Sequence, residues 1–507
     1  MRHMAVIDMG SNSFRLVVYG FEPGEHWQHV DEIREAVRIS AGMGEKGALR
    51  PKPVERAERT AALFASFTHA AGIEEVEAVA TSAIRIASNG EELLDRIHDE
   101  TGLVARVLSE EEEAYYGYLA IANSTTLEDG FGIDIGGGSV QVMQIKNRKL
   151  KRSASWPLGA VRMSEQFLTS DKPDSKELKA LRKHVAKEVR SVDWLGSSDG
   201  DRLAGIGGTI RNLAEAVARE AGLPRTDPQG YCLERDALEK LIDELADMPP
   251  AKRGSVPGIK PDRGDVILGG AVVLSTLMDE IGIDAIETTN AGLREGVFFE
   301  RYLEHADPPL FEDVRRASVE NLANRYQEDL THPQHVADLS LQIYDGLKEH
   351  GLMNGANGNG SRQLLWAAGM LHDIGTAVDY DDHHKHSQYL IENAGLPGFS
   401  PREVGLIALI ARYHRKGDPD ISPLGDLARK SDERRLAILS GVIRLAEQLE
   451  RSRDSAVGSV TLAAVNGHVE LEPVTNAEAS VAIWSAQQNS DLLSRAIDRK
   501  VEIASPD

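Results

Sequence analysis

Two short segments carry residue types suited to phosphate chemistry. Residues 6–19 read VIDMGSNSFRLVVY and residues 132–145 read GIDIGGGSVQVMQI. Each is a β-branched run, an aspartate, a Gly-rich turn with a serine, and a second apolar run. Asp8 is in register with Asp134, Gly10 with Gly136 and Ser13 with Ser139, always 126 residues apart. Backbone N–H groups in tight glycine turns point inward and bind anions, and serine hydroxyls add donors. Two such turns facing one another would hold a phosphate between two lobes. Carboxylates cannot bind phosphate directly, so Asp8 and Asp134 imply a divalent cation or a positioned water. A third turn, GIGGTIR (205–211), supplies Gly207, Gly208 and Thr209 just before a helical pattern, and a helix N-terminus also favours an anion.

A second constellation lies further along the chain. His372-Asp373 ends an apolar helical pattern, His335 starts another upstream, and Glu447 lies near the apolar face of RRLAILSGVIRLAEQLE. This combination resembles the HD phosphohydrolase superfamily, with Glu447 where that superfamily usually has Asp. The resemblance implies a metal site formed by His335, His372, Asp373 and Glu447. Imidazole with carboxylate suits Mn, Fe, Zn or Mg. His384, His386 and His414 could complete a second metal position, while His383 reads as an ordinary surface residue. Without metal, the same region is a scaffold.

The elements that must position these residues follow from periodicity. Each duplicated segment reads as strand, tight turn, strand. After the first come a helix over 54–71, a strand over 75–84, a helix over 90–102, a strand over 103–109 and a helix over 110–123 that begins with four glutamates, as its dipole prefers. This makes an α/β domain over 1–126. A second, over 127–305, closes with a helix near 266–281, the strand AIETT and the segment LREGVFFERYL. Residues 310–451 are helical, interrupted by the Gly/Asn-rich loop NGANGNGS (354–361). Residues 452–507 form a small α/β tail, with a hairpin turning at Asn466-Gly467 and a strand at ASVAIWS.

Composition narrows the function classes. The 507 residues are 41% hydrophobic and 27% charged, with a net charge of −23, ordinary for a globular chain with several cores. That charge repels phosphate backbones at long range and argues against sequence-independent nucleic-acid binding. An anionic substrate in a locally positive pocket remains compatible with it. The single cysteine, Cys232, excludes an intrachain disulfide and a Cys-based zinc site. The N-terminus has no signal-like apolar core, and the longest apolar stretch, Val266 to Met278, is too short to span a bilayer. The expectation is a cytoplasmic protein with no membrane partner.

The segments VIDMGSNSFRL, ATSAIRIASN, SEEEEA, GIDIGGGS, GIGGTIR and LREGV stand in the order and spacing of the exopolyphosphatase/guanosine pentaphosphate phosphatase (Ppx/GppA) family. The chain resembles that family over nearly its whole length, including RYHRK (412–416). The resemblance implies two actin-like (ribonuclease H-like) domains, an all-α HD-like domain, a small α/β C-terminal domain, a Mg²⁺ or Mn²⁺ cofactor and a homodimer. In the family pattern the second Glu of an E-E-A triplet activates the attacking water, and this falls on Glu113. Read without the family, the same glutamates are a solvated acidic first turn. The pattern further implies that Asp134, with Asp8 as its repeat partner, orients the cation and that Arg85 contacts phosphate. Ser11, Asn12, Ser13, Gly137, Gly138, Ser139, Gly208 and Thr209 become the cradle. Where the family has a Glu after the second glycine run, this chain has Gln141, which carries no charge and puts the metal requirement in question.

The expected activity is hydrolysis of terminal phosphate from inorganic polyphosphate. The alternatives are hydrolysis of guanosine pentaphosphate at the same site and a non-catalytic regulator that binds phosphorylated ligands. Arg412, Arg415 and Lys416, with Arg315, Arg316 and Arg325, could line a channel for a long anionic chain. Individually, they are solvated helix-face cations.

Overall fold

The duplicated segments fold as hairpins at the centre of two sheets. In the computed structural model, residues 1–43, 47–224, 227–353, 358, 360–465 and 467–504 are described. Most of the loop 354–361 and Asn466 of the expected tail turn therefore lie outside the described residues. The first sheet comprises β1 (Arg2–Met9), β2 (Phe14–Glu22), β3 (His26–Glu35), β4 (Glu75–Ala80) and β5 (Ala105–Val107), in the order β3-β2-β1-β4-β5. β1, β2 and β3 run antiparallel, and β4 and β5 continue parallel to β1.

The second sheet comprises β6 (Gly130–Ile135), β7 (Val140–Lys146), β8 (Lys149–Trp156), β9 (Arg202–Ile206), β10 (Cys232–Glu234) and β11 (Ala285–Thr288). Its order, β10-β11-β9-β6-β7-β8, repeats the first sheet and adds the antiparallel edge strand β10. The hairpin registers also repeat. Asp8 lies opposite Arg15 and Met9 opposite Phe14; Asp134 lies opposite Gln141 and Ile135 opposite Val140. Two lobes of this topology make the actin-like arrangement.

The central strands read as almost continuous apolar runs because both faces are buried. Ala5, Ile7, Met9, Leu16 and Val18 pack outward into a core with the helices Pro51–Ala70 and Gly90–Thr101. The alternate residues Met4, Val6, Val17 and Tyr19 pack on the other side, against the helices Glu110–Ala122 and Leu293–Tyr302. This is the two-residue strand period at work. The helix Leu293–Tyr302 comes last in the second half of the repeat, yet it packs on the first sheet. Phe298 stacks on Tyr19 with ring centroids 4.3 Å apart, and Tyr19 Oη donates to Glu295 Oε1 at 2.7 Å. That placement brings Arg294 to the first glycine turn.

A second compact unit contains residues from Arg315 onward. Its helices Thr331–Glu349, Ser361–Leu371, His383–Ala394, Pro401–Arg412 and Asp432–Leu449 share one apolar core. β12 (Val457–Val465), β13 (His468–Thr475) and β14 (Val501–Ile503) form a small sheet whose Val460, Leu471 and Ile503 enter that same core. ASVAIWS, expected as a strand, is instead the start of the helix Ser480–Gln488. Ala482, Ile483 and Ala486 face the core at helical spacing, and Trp484 is left 63% exposed. Among the described residues, no helix is long and apolar enough to cross a membrane.

Candidate functional site

The two glycine turns do face each other. A Cβ added at Gly137 would lie 3.7 Å from Ser11 Cβ and 3.8 Å from Asn12 Cβ, and one at Gly138 would lie 3.3 Å from Ser82 Oγ. Ser11 Oγ and Ser82 Oγ are themselves 3.2 Å apart. Between the turns is a cavity of about 160 Å³ lined by Ser11, Asn12, Ser13, Gly137, Ser139, Gly208 and Thr209 among others. Gly138 lies on the adjoining cleft of about 940 Å³, which shares Ser11, Ser82, Gly137, Ser139 and Val161 with the cavity. All eight expected cradle residues therefore border one space or the other.

Local capping explains which glutamate points inward. Ser109 Oγ accepts from the Glu112 backbone N–H at 3.1 Å, and the Glu112 carboxylate accepts from the Ser109 N–H at 2.8 Å, a reciprocal capping box. Glu112 is also paired with Arg106. Glu112 is thus spent on holding the helix start, and the next residue turns into the cavity. Glu113 lines that cavity with its side chain only 9% exposed, so the solvated-turn reading does not hold for it. Burial pushes its carboxyl up to about 7, against the opposing pull of Arg85.

Arg85 lies against the Glu113 carboxylate. Its Nη1 donates to Glu113 Oε2 at 2.5 Å and to the Leu108 carbonyl at 2.6 Å. It lines the outer cleft, not the inner cavity, so its direct contact is with the candidate base. The cause is the helix Ser82–Ile86, which places Arg85 behind the Glu113 carboxylate.

Asp8 and Asp134 both line the cavity, but their surroundings differ. Arg294 Nη1 donates to Asp8 Oδ2 at 3.3 Å. Burial raises Asp8, with Arg294 and Arg15 opposing. Asp134 has no hydrogen-bond or ion-pair partner among the described residues, and burial together with Asp8 pushes its carboxyl up to about 6. Gly207, at φ +91°, keeps this space open: a Cβ there would lie 2.5 Å from Asp134 Oδ1. Gln141 Nε2 donates to Ser139 Oγ at 3.2 Å, which leaves the amide oxygen as its free acceptor. Two carboxylates and an amide oxygen fit a hard divalent cation.

Four arginines complete the cavity: Arg15, Arg211, Arg263 and Arg294. Burial lowers Arg15 to about 10, with Arg294 adding to the effect, and burial with Arg34 lowers Arg263 to about 10. Arg211 is lowered by burial and then by Arg294. Guanidiniums that lose hydration and repel one another are stabilised by an anion among them. This is the locally positive pocket that an acidic chain needs in order to take a phosphate.

The helical unit gathers a second set of side chains. His332, His372 and Asp373 form one group with metal-ligating geometry, and Asp373, His383 and His414 form another. Glu447 Oε2 lies 3.2 Å from both His332 Nε2 and His372 Nε2. The expected His335 is not among them. Its Nε2 lies 2.8 Å from the Val457 carbonyl, because β12 packs on its helix. His332, one turn earlier, takes the place expected for it. His383, read as a surface residue, is buried in the cluster. His384 is buried outside both groups, and His386 is outside them too. Of the expected channel cations, Arg325, Arg412 and Arg415 lie over the rings of Tyr326, Tyr413 and Tyr380, and the other three are paired. Arg315 donates to Gly398 O and Gln363, Arg316 pairs with Glu320, and Lys416 pairs with Asp382.

A model of the Ppx/GppA phosphatase family matches residues 17–305, and a model of Ppx/GppA phosphatase domain III matches residues 314–487. The chain belongs to the Ppx/GppA phosphatase family. A guanosine-5'-triphosphate,3'-diphosphate pyrophosphatase from Vibrio vulnificus is 27% identical over 491 residues, 94% of each chain. The crystal structure of the Aquifex aeolicus Ppx/GppA family member is 31% identical, with a TM-score of 0.53 over 60% of this chain and 98% of that one. An exopolyphosphatase from Cytophaga hutchinsonii shares the fold at 22% identity, with a TM-score of 0.54 over 59% of this chain and 98% of that one.

Within this Ppx/GppA member, sequence reasoning missed the arginines. Arg15, Arg211 and Arg294 stand inside the motifs VIDMGSNSFRL, GIGGTIR and LREGV, and that position was the available signal. Arg263 lies in no such motif. It reaches the cavity by lying over the start of the helix Gly208–Glu220, where a Cβ at Gly208 would come within 2.4 Å of its Nη2.

Proposed function

We propose that this protein hydrolyses the terminal phosphoanhydride bond of inorganic polyphosphate in the cavity between its two lobes. The observation that carries the reading is Glu113, buried beside Arg85 and opening into a cavity that holds four arginines. The terminal phosphoryl would rest on the N–H groups and hydroxyls of the two glycine turns and on the helix start at Gly208-Thr209. Arg15, Arg211, Arg263 and Arg294 would spread their charge over its oxygens. Glu113 would align a water for in-line attack and accept its proton, and the shortened chain would leave with the bridging oxygen. Arg85 would fix the direction of the Glu113 carboxylate. Asp8 and Asp134, with the Gln141 amide oxygen, would hold Mg²⁺ or Mn²⁺. Such an ion neutralises charge on the phosphate oxygens when bound.

A second reading, guanosine pentaphosphate at the same site, has its own support. The Vibrio vulnificus relative carries the name of that activity. The adjoining cleft also has an apolar side formed by Met43, Ile86, Trp156, Pro157 and Val161, which suits a base better than a phosphate chain. Phosphate release from long-chain polyphosphate and from guanosine pentaphosphate, compared as kcat/KM, decides between them. A higher kcat/KM for guanosine pentaphosphate replaces the first reading with the second. Binding without phosphate release from either, with Mg²⁺ or Mn²⁺ present, leaves a regulator.

A further inference from the structure

An in-line displacement has a direction, and the groups around the cavity are arranged along one. Attack and departure occupy opposite sides of the phosphorus, so the bridging oxygen and the chain behind it lie on the side away from the base. Glu113 stands at the cleft end of the cavity. Its partner Arg85 lines the outer cleft, as does Ser82 on the same short helix. Arg15, Arg211, Arg263 and Arg294 line the cavity, and none of the four lines that cleft. The aspartates come between the two sets. Burial aside, Glu113 feels Arg85 and both aspartates, whereas Asp134 feels Arg211 and Arg294, and Asp8 feels Arg294 and Arg15. The order from the cleft inward is therefore base, aspartates, arginines.

Beyond the arginines the cationic run continues to the surface. Arg34, on β3 of the first lobe, pairs with Asp262, which precedes Arg263 in the second. Arg34 Nε is buried without a hydrogen-bond partner. Two residues before Asp262, Lys260 is exposed, and its backbone N–H donates to Asn212 Oδ1 at 2.9 Å, on the helix that carries Arg211. Partial desolvation lowers the Lys260 ammonium, and the charges of Arg15, Arg34, Arg211 and Arg263 lower it further. Glu32 answers Arg15 and Asp262 answers Arg34. Lys260, Arg211 and Arg263 have no carboxylate in ion-pair contact among the described residues. Like charges gathered in this way are stabilised by an anion among them.

We infer that Lys260 and Arg34, with Arg263, form a subsite for the phosphates that follow the terminal one, so that the polyphosphate chain leaves the cavity by its arginine end and does not lie in the outer cleft. This rests on the hydrolytic reading above and gives its substrate a direction. The water aligned by Glu113 attacks the terminal phosphorus and its proton passes to Glu113. The bond to the bridging oxygen breaks, and both its electrons go to the chain at the arginine end. A chain in the outer cleft would instead put that bridging oxygen beside Glu113, where the water has to stand. Polyphosphate carries no sequence, so the placement of charge alone holds its later phosphates.

The test is the initial rate of phosphate release by the full chain from long-chain polyphosphate and from tripolyphosphate, at saturating Mg²⁺. Lys260→Glu should raise KM for the long chain about tenfold or more, because a like charge repels the phosphates, and the effect should fall on KM more than on kcat. The rise should be smaller for tripolyphosphate, which ends nearer the cavity. Lys260→Arg should restore the long-chain KM, and Lys260→Ala should show a smaller rise than Lys260→Glu. Arg162→Glu reverses one exposed charge in the outer cleft and should raise KM by less than about twofold. An unchanged long-chain KM in Lys260→Glu overturns the subsite. A larger rise in Arg162→Glu than in Lys260→Glu also overturns it and puts the chain in the cleft. Thermal melts of the variants confirm that they fold. Wild type that releases no phosphate from polyphosphate brings down the hydrolytic reading and the subsite with it, whereas wild-type turnover indifferent to Lys260 brings down the subsite alone.

Discussion

The two glycine hairpins share one backbone register, and burial raises both aspartates, but they give them different partners. In the first, Asp8 lies across from Arg15 and also takes Arg294. In the second, Asp134 lies across from Gln141 and has no charged partner in contact among the described residues. Duplication preserved the geometry of the turns, while single residues at the paired position divided the labour. The first turn is built to be neutralised by protein cations. The second leaves a bare carboxylate beside a neutral amide, where an added cation does the most good. Asp134 pushed up to about 6 is the electrostatic signature of that asymmetry.

The largest effect expected bears on neither hairpin but on the group placed between them. Glu113→Gln should reduce kcat by roughly 100- to 10,000-fold with little change in KM, read as phosphate release from either substrate. Normal turnover in that variant would remove the base from the comparison altogether.

The aspartates themselves should separate by stability. Asp134→Asn relieves an uncompensated buried charge and should raise Tm by roughly 1–3 °C in metal-free buffer at pH 8, whereas Asp8→Asn, which relieves a buried charge but also strips Arg294 of a carboxylate, should raise it less. Because the folded value of Asp134, about 6, exceeds its ordinary 3.8, the folded protein holds more protons between these values and loses stability as pH rises through them. The Asp134→Asn advantage should therefore disappear below about pH 4, as thermal melts across pH would show. Both variants should need more Mg²⁺ for activity.

Gln141 tests whether the asymmetry is functional. Gln141→Glu should lower the half-saturating Mg²⁺ concentration about tenfold by adding ligand charge, and Gln141→Arg, which copies the first hairpin, should raise it by at least as much. If neither moves it, the cation is not held at the second turn.

A subtler readout is pH. As a base, Glu113 must be ionised, so kcat/KM should rise through about pH 7. Arg85 pulls that value down, so Arg85→Gln should move the rising limb to higher pH. The smallest effect belongs to the exposed pair Arg38–Asp265, 3.8 Å apart. Arg38→Ala should change stability by only about 0–1 kcal/mol, measured by denaturant titration.

Much of this was legible in the chain. Asp, Gly and Ser in matched register mark a duplicated hairpin, since a two-residue period and a glycine turn are local properties. The capping signal Ser109…Glu112 is local as well, and it implies that Glu112 is the structural glutamate. The arginine-lined cavity was not legible, because Arg15, Arg211, Arg263 and Arg294 come from four distant segments. Nor was the choice of His332 over His335. The two lie one helical turn apart on the same helix, and the carbonyl that claims His335 belongs to Val457.

Local pattern alone therefore determined the repeated strands and the turns, because each depends on neighbours within a few residues, while the candidate base came from the family resemblance. Only the tertiary structure decided which cations reach the cavity between the two glycine turns, which aspartate stays unpaired among the described residues and which histidines converge. Those outcomes depend on how distant elements pack, as when the apolar face of Leu293–Tyr302 buries itself on β1 and β2 and brings Arg294 to Asp8.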